Sequence, residues 1–183
     1  MAALNTTHSK AEIQRPVTNL FVLSSLLVAL FLNGLPWEGI WLALRPDFVA
    51  LVLLYWCTHN PWRIGIGLSW LVGIFADVTD ASLFGQHALA YTLLAFGGVA
   101  LHRRLQMFDL RRQTIQVFGI LVLTYAAYAL IHWQVNGRAE WLYFLGCLTS
   151  TFLWTPLSMM FNAIRQVRGD SERRHLEIGR AHV

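Results

Sequence analysis

The sequence predicts an all-α integral membrane protein built as a six-helix transmembrane bundle, and three observations predict it. Of its 183 residues, 56% are hydrophobic and only 13% are charged, about half the charged share of a soluble domain. The mean hydropathy is +0.47, and the apolar residues fall in runs suited to a bilayer, where a spanning helix needs about 20. Several of the eight Trp flank those runs: Trp37, Trp41, Trp62, Trp133 and Trp141. Their rings are apolar but carry an N–H, which suits a membrane–water interface. No room remains for a soluble domain of any size.

The elements follow in chain order. Residues 1–16 are polar, end in Arg15-Pro16, and read as a cytoplasmic arm. A first span is expected over 17–35. That run is long for a signal-peptide core and no Ala-x-Ala site follows it, so an uncleaved helix is expected. Trp37 to Leu44 is a further apolar piece containing Glu38, and Arg45-Pro46-Asp47 comes next. A second helix is expected over 46–58, short for a span and surrounded by protein. Pro46 suits a first helical turn, and Asp47 suits the positive end of a helix. His59-Asn60-Pro61 is a turn. Helices follow at 62–76 and 86–101, then an arginine-rich loop at 102–113, a helix at 114–133, a turn at 134–140 and a helix at 141–164. Pro156 predicts a kink in the last. The transmembrane domain is therefore 17–164, and 165–183 is a basic cytoplasmic tail. Its end, Glu-Ile-Gly-Arg-Ala-His-Val at 177–183, is what a common short-read sequencing adapter encodes, and is expected to be read-through rather than native sequence.

Lys and Arg set the orientation. Six spans with the N-terminus inside place every one of the 14 on the cytoplasmic side except Arg45 and Arg138, as the positive-inside rule requires. Both termini are then cytoplasmic. The net charge of +4 lies in short loops and a tail, so anionic lipid headgroups are the expected partner and nucleic acid is not. Arg103, Arg104, Arg111 and Arg112 form a candidate cytoplasmic surface, for lipid or for a cytoplasmic protein.

Nothing in the pattern points to catalysis. Gly67-Leu-Ser69-Trp70-Leu71 lacks the second glycine of a nucleophile elbow. The seven His show no metal-ligand spacing, and no phosphate loop or dinucleotide fingerprint is present. No catalytic residue, metal or cofactor is expected. Cys57 and Cys147 are expected to be free packing thiols near opposite ends of their helices. Gly65, Ser69 and Gly73 are spaced by four, a row that lets helix backbones approach in lipid. Asp77 continues the row. With Arg45, Asp47, Asp80, Gln86 and His87 it makes a candidate polar cluster on the outer side. The residues alone leave open whether that cluster caps the bundle, binds a partner, or merely ends a helix in a wet turn.

Several motifs then coincide: Arg45-Pro46-Asp47 before an apolar run ending Tyr55-Trp56; Pro61-x-Arg63-x-Gly65-x-Gly67; Gly73-Ile-Phe-Ala-Asp77; Leu83-Phe-Gly85-Gln86-His87-Ala88-Leu89-Ala90-Tyr91; and Leu101-His102-Arg103-Arg104-Leu105-Gln106-Met107-Phe108. Together they resemble the rod shape-determining protein MreD family in its proteobacterial form, over roughly residues 17–165. Asp80-Ala81-Ser82 departs from that pattern, where a more apolar, glycine-containing stretch is expected. The resemblance implies a non-enzymatic component of the lateral wall-synthesis machine in a bacterial inner membrane. It implies work beside an MreC-like bitopic protein, an MreB-like actin homologue, a RodA-type glycosyltransferase and a penicillin-binding transpeptidase. It also implies a fold like the six-helix substrate-binding subunits of energy-coupling-factor transporters. The alternative function is thus a membrane-embedded small-solute binding or transport subunit, which needs a pocket lined by convergent polar side chains.

Overall fold

The computed structural model describes residues 19–80, 84–107, 110–136 and 143–181. All of the 1–16 arm, most of the 134–140 turn, and the departure at Ala81-Ser82 lie outside the described residues. All regular structure among those residues is helical: α1 (Asn19–Asn33), α2 (Ile40–Leu44), α3 (Phe48–His59), α4 (Ile66–Thr79), α5 (Gln86–Met107), α6 (Leu110–Asn136) and α7 (Tyr143–Ala181).

The short helix α3 is the axis of the bundle. Every residue from Val49 to Thr58 is buried, which is why its sequence is apolar on all sides. Helices α1, α5 and α7 pack around it; α4 lies on α5, α6 bridges α5 and α7, and α2 rests on α7. Twelve residues rise only about 18 Å, against a hydrocarbon core about 30 Å thick. Together α2, the Arg45–Asp47 break and α3 make the stretch Ile40–His59, which is long and apolar enough to cross a membrane. Arg112–Gln134 and Phe144–Val167 are also long and apolar enough, while Asn19–Asn33 and Ile66–Thr79 are shorter apolar helices. The second predicted helix is therefore the enclosed lower half of a broken span, beginning at Phe48 rather than Pro46.

Two other expectations change. The described residues of the 102–113 segment are helical rather than a loop: α5 runs to Met107 and α6 starts at Leu110. Leu, Arg, Gln and Met are good helix formers, Leu105 is buried, and Gln106 Nε2 donates to the Thr58 carbonyl at 2.6 Å, so α5 continues against the end of α3. Likewise the last helix, with Pro156 inside it, does not end at 164: α7 runs from Tyr143 on to Ala181.

Backbones approach closely at three glycines. A Cβ on Gly73 of α4 would lie 2.4 Å from Ala88 Cα of α5. One on Gly98 of α5 would lie 3.0 Å from Leu54 Cδ1 and 3.1 Å from Cys57 Cβ of α3. One on Gly146 of α7 would lie 3.0 Å from the Arg45 carbonyl and 3.1 Å from the Tyr125 hydroxyl. In lipid such contact is a main source of helix association. Between these points the core is aromatic: Tyr55 stacks on Phe161 at 4.8 Å, and Phe21 meets Trp56 edge-on at 5.7 Å.

Candidate functional site: a hydrogen-bonded hub at the helix break

The break between α2 and α3 follows from its residues. Pro46 has no N–H to continue a helix and forces the residue before it out of helical geometry; Arg45 is extended, at φ −59° and ψ 117°. Asp47 then caps α3, its Oδ1 accepting from Ala50 N at 2.9 Å. A break inside a spanning segment leaves backbone groups that water cannot serve, so the protein must serve them. Asp47 N donates to Ser150 Oγ of α7 at 3.0 Å, and Phe48 N donates to Asn33 Oδ1 at the end of α1, also at 3.0 Å.

The Asp47 carboxylate gathers the other helices. Besides Ala50 N, its Oδ1 accepts from Asn33 Nδ2 of α1 and the Tyr91 hydroxyl of α5, each at 3.0 Å. Its Oδ2 accepts from the Tyr128 hydroxyl of α6 at 3.0 Å. The Tyr125 hydroxyl lies 3.2 Å from Ser150 Oγ. Arg45 reaches the other way, donating to the Asn33 carbonyl at 2.7 Å and pairing with Asp80 Oδ2, past the end of α4, at 3.1 Å. The tripeptide Arg45-Pro46-Asp47 is thus bonded directly to α1, α5, α6, α7 and the end of α4.

A second carboxylate works across a helix gap. Asp77, in the last turn of α4, sits on the N-terminus of α5. Its Oδ2 accepts from Gly85 N at 2.8 Å and its Oδ1 from His87 N at 2.7 Å. An anion there meets helix N–H groups that have no intrahelical partner, and the positive end of the dipole. Gly85 has φ +98°, a conformation glycine adopts without strain, and so it aims its N–H at Asp77. His87 Nδ1 is 2.9 Å from Asp77 Oδ1, and its Nε2 is 3.7 Å from Asp80 Oδ2. The His87 ring packs on Tyr128 at 5.0 Å and on Tyr91 at 5.7 Å. The two carboxylate centres therefore join through one imidazole and two phenols.

The structure brings Arg45, Asp47, Asp77, Asp80 and His87 into this one network. Gln86 is buried beside it but takes no part in these bonds. The four-spaced row of α4 divides. Gly73 meets α5. Ser69 turns to α3, its Oγ donating to Gly65 O at 3.2 Å and lying 3.8 Å from Cys57 Sγ. Gly65 is the N-cap position of α4, with only Pro61 O near its Cβ direction, at 3.8 Å. Arg103, Arg104 and Arg112 are exposed at the opposite end of the bundle; the Arg111 side chain lies outside the described residues.

Five members of the hub escaped the sequence reading: Asn33, Tyr91, Tyr125, Tyr128 and Ser150. A polar residue ending the first span and a Tyr125-x-x-Tyr128 pair on one helix face were the available signals.

Chemically, the network holds positions. The Ser69 hydroxyl is engaged by a backbone carbonyl and a thiol rather than by a base. Cys57 and Cys147 are buried free thiols. Among the described residues no three His, Cys, Asp or Glu gather as a metal site. An apolar pocket of about 190 Å³ between α6 and α7 is lined by Phe118, Val122, Phe144, Leu145, Cys147 and Leu148.

Fold and site define a polytopic helical membrane protein whose polar groups at the helix break are bonded to one another. The family model described as rod shape-determining protein MreD matches residues 14–164, and the chain belongs to that family. Membership places it in the membrane and in the determination of rod shape. The rod shape-determining protein MreD of Haemophilus influenzae (strain KW20 / Rd) is 28% identical over 149 residues, covering 79% of this chain and 90% of the relative. No solved structure matches.

Proposed function

We propose that this chain is a non-enzymatic scaffold of the cell-elongation machinery in the inner membrane. In this reading it supports lateral peptidoglycan synthesis by holding an MreC-like bitopic partner, with MreB-like, RodA-type and transpeptidase components nearby. One observation carries the reading: the polar groups that converge at the helix break bond each other and fasten helices together. A solute-binding subunit would turn several of them toward a ligand, and a hydrolase would pair a nucleophile with a base. Both termini are cytoplasmic in this proposal, which puts the basic end of the bundle inside and the hub toward the periplasm.

The test is complementation of a depleted rod-shaped host, with co-isolation of the MreC-like protein from solubilised membranes. The expected result is restored rod shape together with a retained partner. Restored shape with no partner retained in any detergent would overturn the scaffold assignment. For orientation, a reporter fused after Arg112 should read cytoplasm and one after Asp80 periplasm; the reverse at either site overturns the topology.

A further inference from the structure

We propose that Arg165 seats the phosphate of one membrane phospholipid at the basic end of the bundle. Arg165 is partly buried and lies in the last turn of the apolar stretch Phe144–Val167, at the depth where a bilayer carries its headgroups. The turn after α3, at the same end, carries Trp62, which is 99% exposed; an indole set outward there suits the membrane–water interface. The end of α3 meets α5 through Gln106 and α7 through Tyr55, so Arg165 shares its end of the bundle with Arg103 and Arg104.

A cation at that depth has to be answered, because charge in an apolar setting is costly. The protein answers Arg165 weakly. Its Nη1 donates to the Tyr55 hydroxyl at 3.5 Å, a neutral acceptor at the limit of a hydrogen bond. Among the described residues no carboxylate pairs with it. A guanidinium carries five N–H donors in a planar fork, so most of them are left for a group outside the chain. The phenol that meets the fork is itself held. Tyr55 donates to Asn162 Oδ1 at 2.8 Å, and its ring stacks on His59 at 4.1 Å and on Phe161 at 4.8 Å. The His59 ring is in turn fixed, with Nδ1 2.9 Å from the Tyr55 carbonyl. Arg165 is therefore a cation on a built seat, whereas Arg103 and Arg104 are exposed. What the seat lacks is an anion with two oxygens for the fork. The phosphate diester of a phospholipid supplies it, since its two unesterified oxygens match a guanidinium bidentately and the bilayer brings it to this depth.

The experiment is native mass spectrometry of the full chain, delipidated in detergent and titrated separately with phosphatidylglycerol, phosphatidylethanolamine, diacylglycerol and inorganic phosphate, with Tm followed in parallel. One phospholipid of either headgroup should stay bound to the wild type and raise its Tm. Diacylglycerol, which has no phosphate, and inorganic phosphate, which has no chains, should do neither. Arg165→Gln should bind phospholipid about tenfold more weakly, with its lipid-free Tm unchanged because the Tyr55–Asn162 bond remains. Arg165→Lys, which keeps the charge and loses the fork, should fall between. Replacing Arg103 and Arg104 together by Gln should cost less than Arg165→Gln although it removes twice the charge. A wild type that retains no phospholipid, or an Arg165→Gln protein of wild-type affinity, overturns the seat. So does an equal or larger loss in the Arg103 and Arg104 variant, which would mean that lipid reads only the summed charge. An equal response to inorganic phosphate would assign a free anion and overturn the headgroup. If Arg165→Gln yields no folded protein, wild-type affinity in Arg165→Lys overturns the proposal.

Discussion

The two ends of the bundle are held by different physics. At the hub end, a buried carboxylate accepts four hydrogen bonds from neutral donors on α1, α3, α5 and α6. A second carboxylate caps a neighbouring helix. At the basic end, the arginines at 103, 104 and 112 are exposed. The links there include Gln106 on the Thr58 carbonyl, Arg63 on Asn19 Oδ1, Tyr55 donating to Asn162 Oδ1, Arg165 donating to the Tyr55 hydroxyl, and Thr114 beside Thr155, with no buried carboxylate among the described residues gathering them. The first end depends on geometry inside the protein; the second depends on charge toward its surroundings. Substitutions should therefore cost fold at one end and only surface attraction at the other.

The largest effect belongs to Asp47→Ala. It removes the acceptor for Asn33, Tyr91, Tyr128 and Ala50 N together. A buried donor left without a partner costs about 1–3 kcal/mol, so the loss should exceed about 3 kcal/mol even after relaxation. Membrane abundance should collapse. Normal abundance and an unchanged Tm would mean that the hub does not hold the bundle.

Gly73→Leu comes next. Its first side-chain atom would fall 2.4 Å from a backbone Cα of α5, closer than a rotamer change can relieve. Overpacking costs about 1–3 kcal/mol, and here the α4–α5 pair must separate. Separation also pulls Asp77 from the α5 N-terminus, so the change should impair rod-shape complementation along with abundance. Full complementation at normal level would show that this crossing tolerates displacement.

Ser69→Ala, one turn away on the same helix, should be mild. It removes a bond to the Gly65 carbonyl and a long contact to Cys57 while keeping the small volume. Polar contacts between membrane helices average about 0.6 kcal/mol. Shape restored at wild-type abundance is the expected outcome. Loss of shape at normal abundance would point instead to chemistry at the hydroxyl.

The contrast between the ends also explains what could be read from sequence. The carboxylates, Arg45 and His87 were legible because charge in an apolar chain is costly and must be answered. Asp47 beside Pro46 announced a helix start. The tyrosines were not legible: Tyr91 and Tyr128 look like apolar filler until a fold brings them onto a residue 44 or 81 positions away. Ser150, 103 positions from Asp47, had no local signal at all. The four-spaced row on α4 was visible as a pattern, but a row shows spacing, not neighbours. Its members face α5 at Gly73 and α3 at Ser69 because the stripe rotates along a helix of 3.6 residues per turn. At the other end, arginine density reads as a loop, but Leu, Gln and Met there are good helix formers and keep α5 helical to Met107.

The smallest effect is expected where charge, not geometry, is in play. Replacing Arg103, Arg104, Arg111 and Arg112 together by Lys keeps four positive charges and discards the planar guanidinium fork. A lipid headgroup surface attracts either side chain by about 1 kcal/mol per charge, whereas a protein partner that pairs with guanidinium groups bidentately does not accept Lys in their place. If the basic end serves the membrane surface, the four-Lys protein should match the wild type in topology, abundance and rod-shape complementation, because the charge that lipid reads is unchanged. Round cells at normal abundance and topology would mean that a protein reads this face, and the basic end would then belong with the hub as a structured interface.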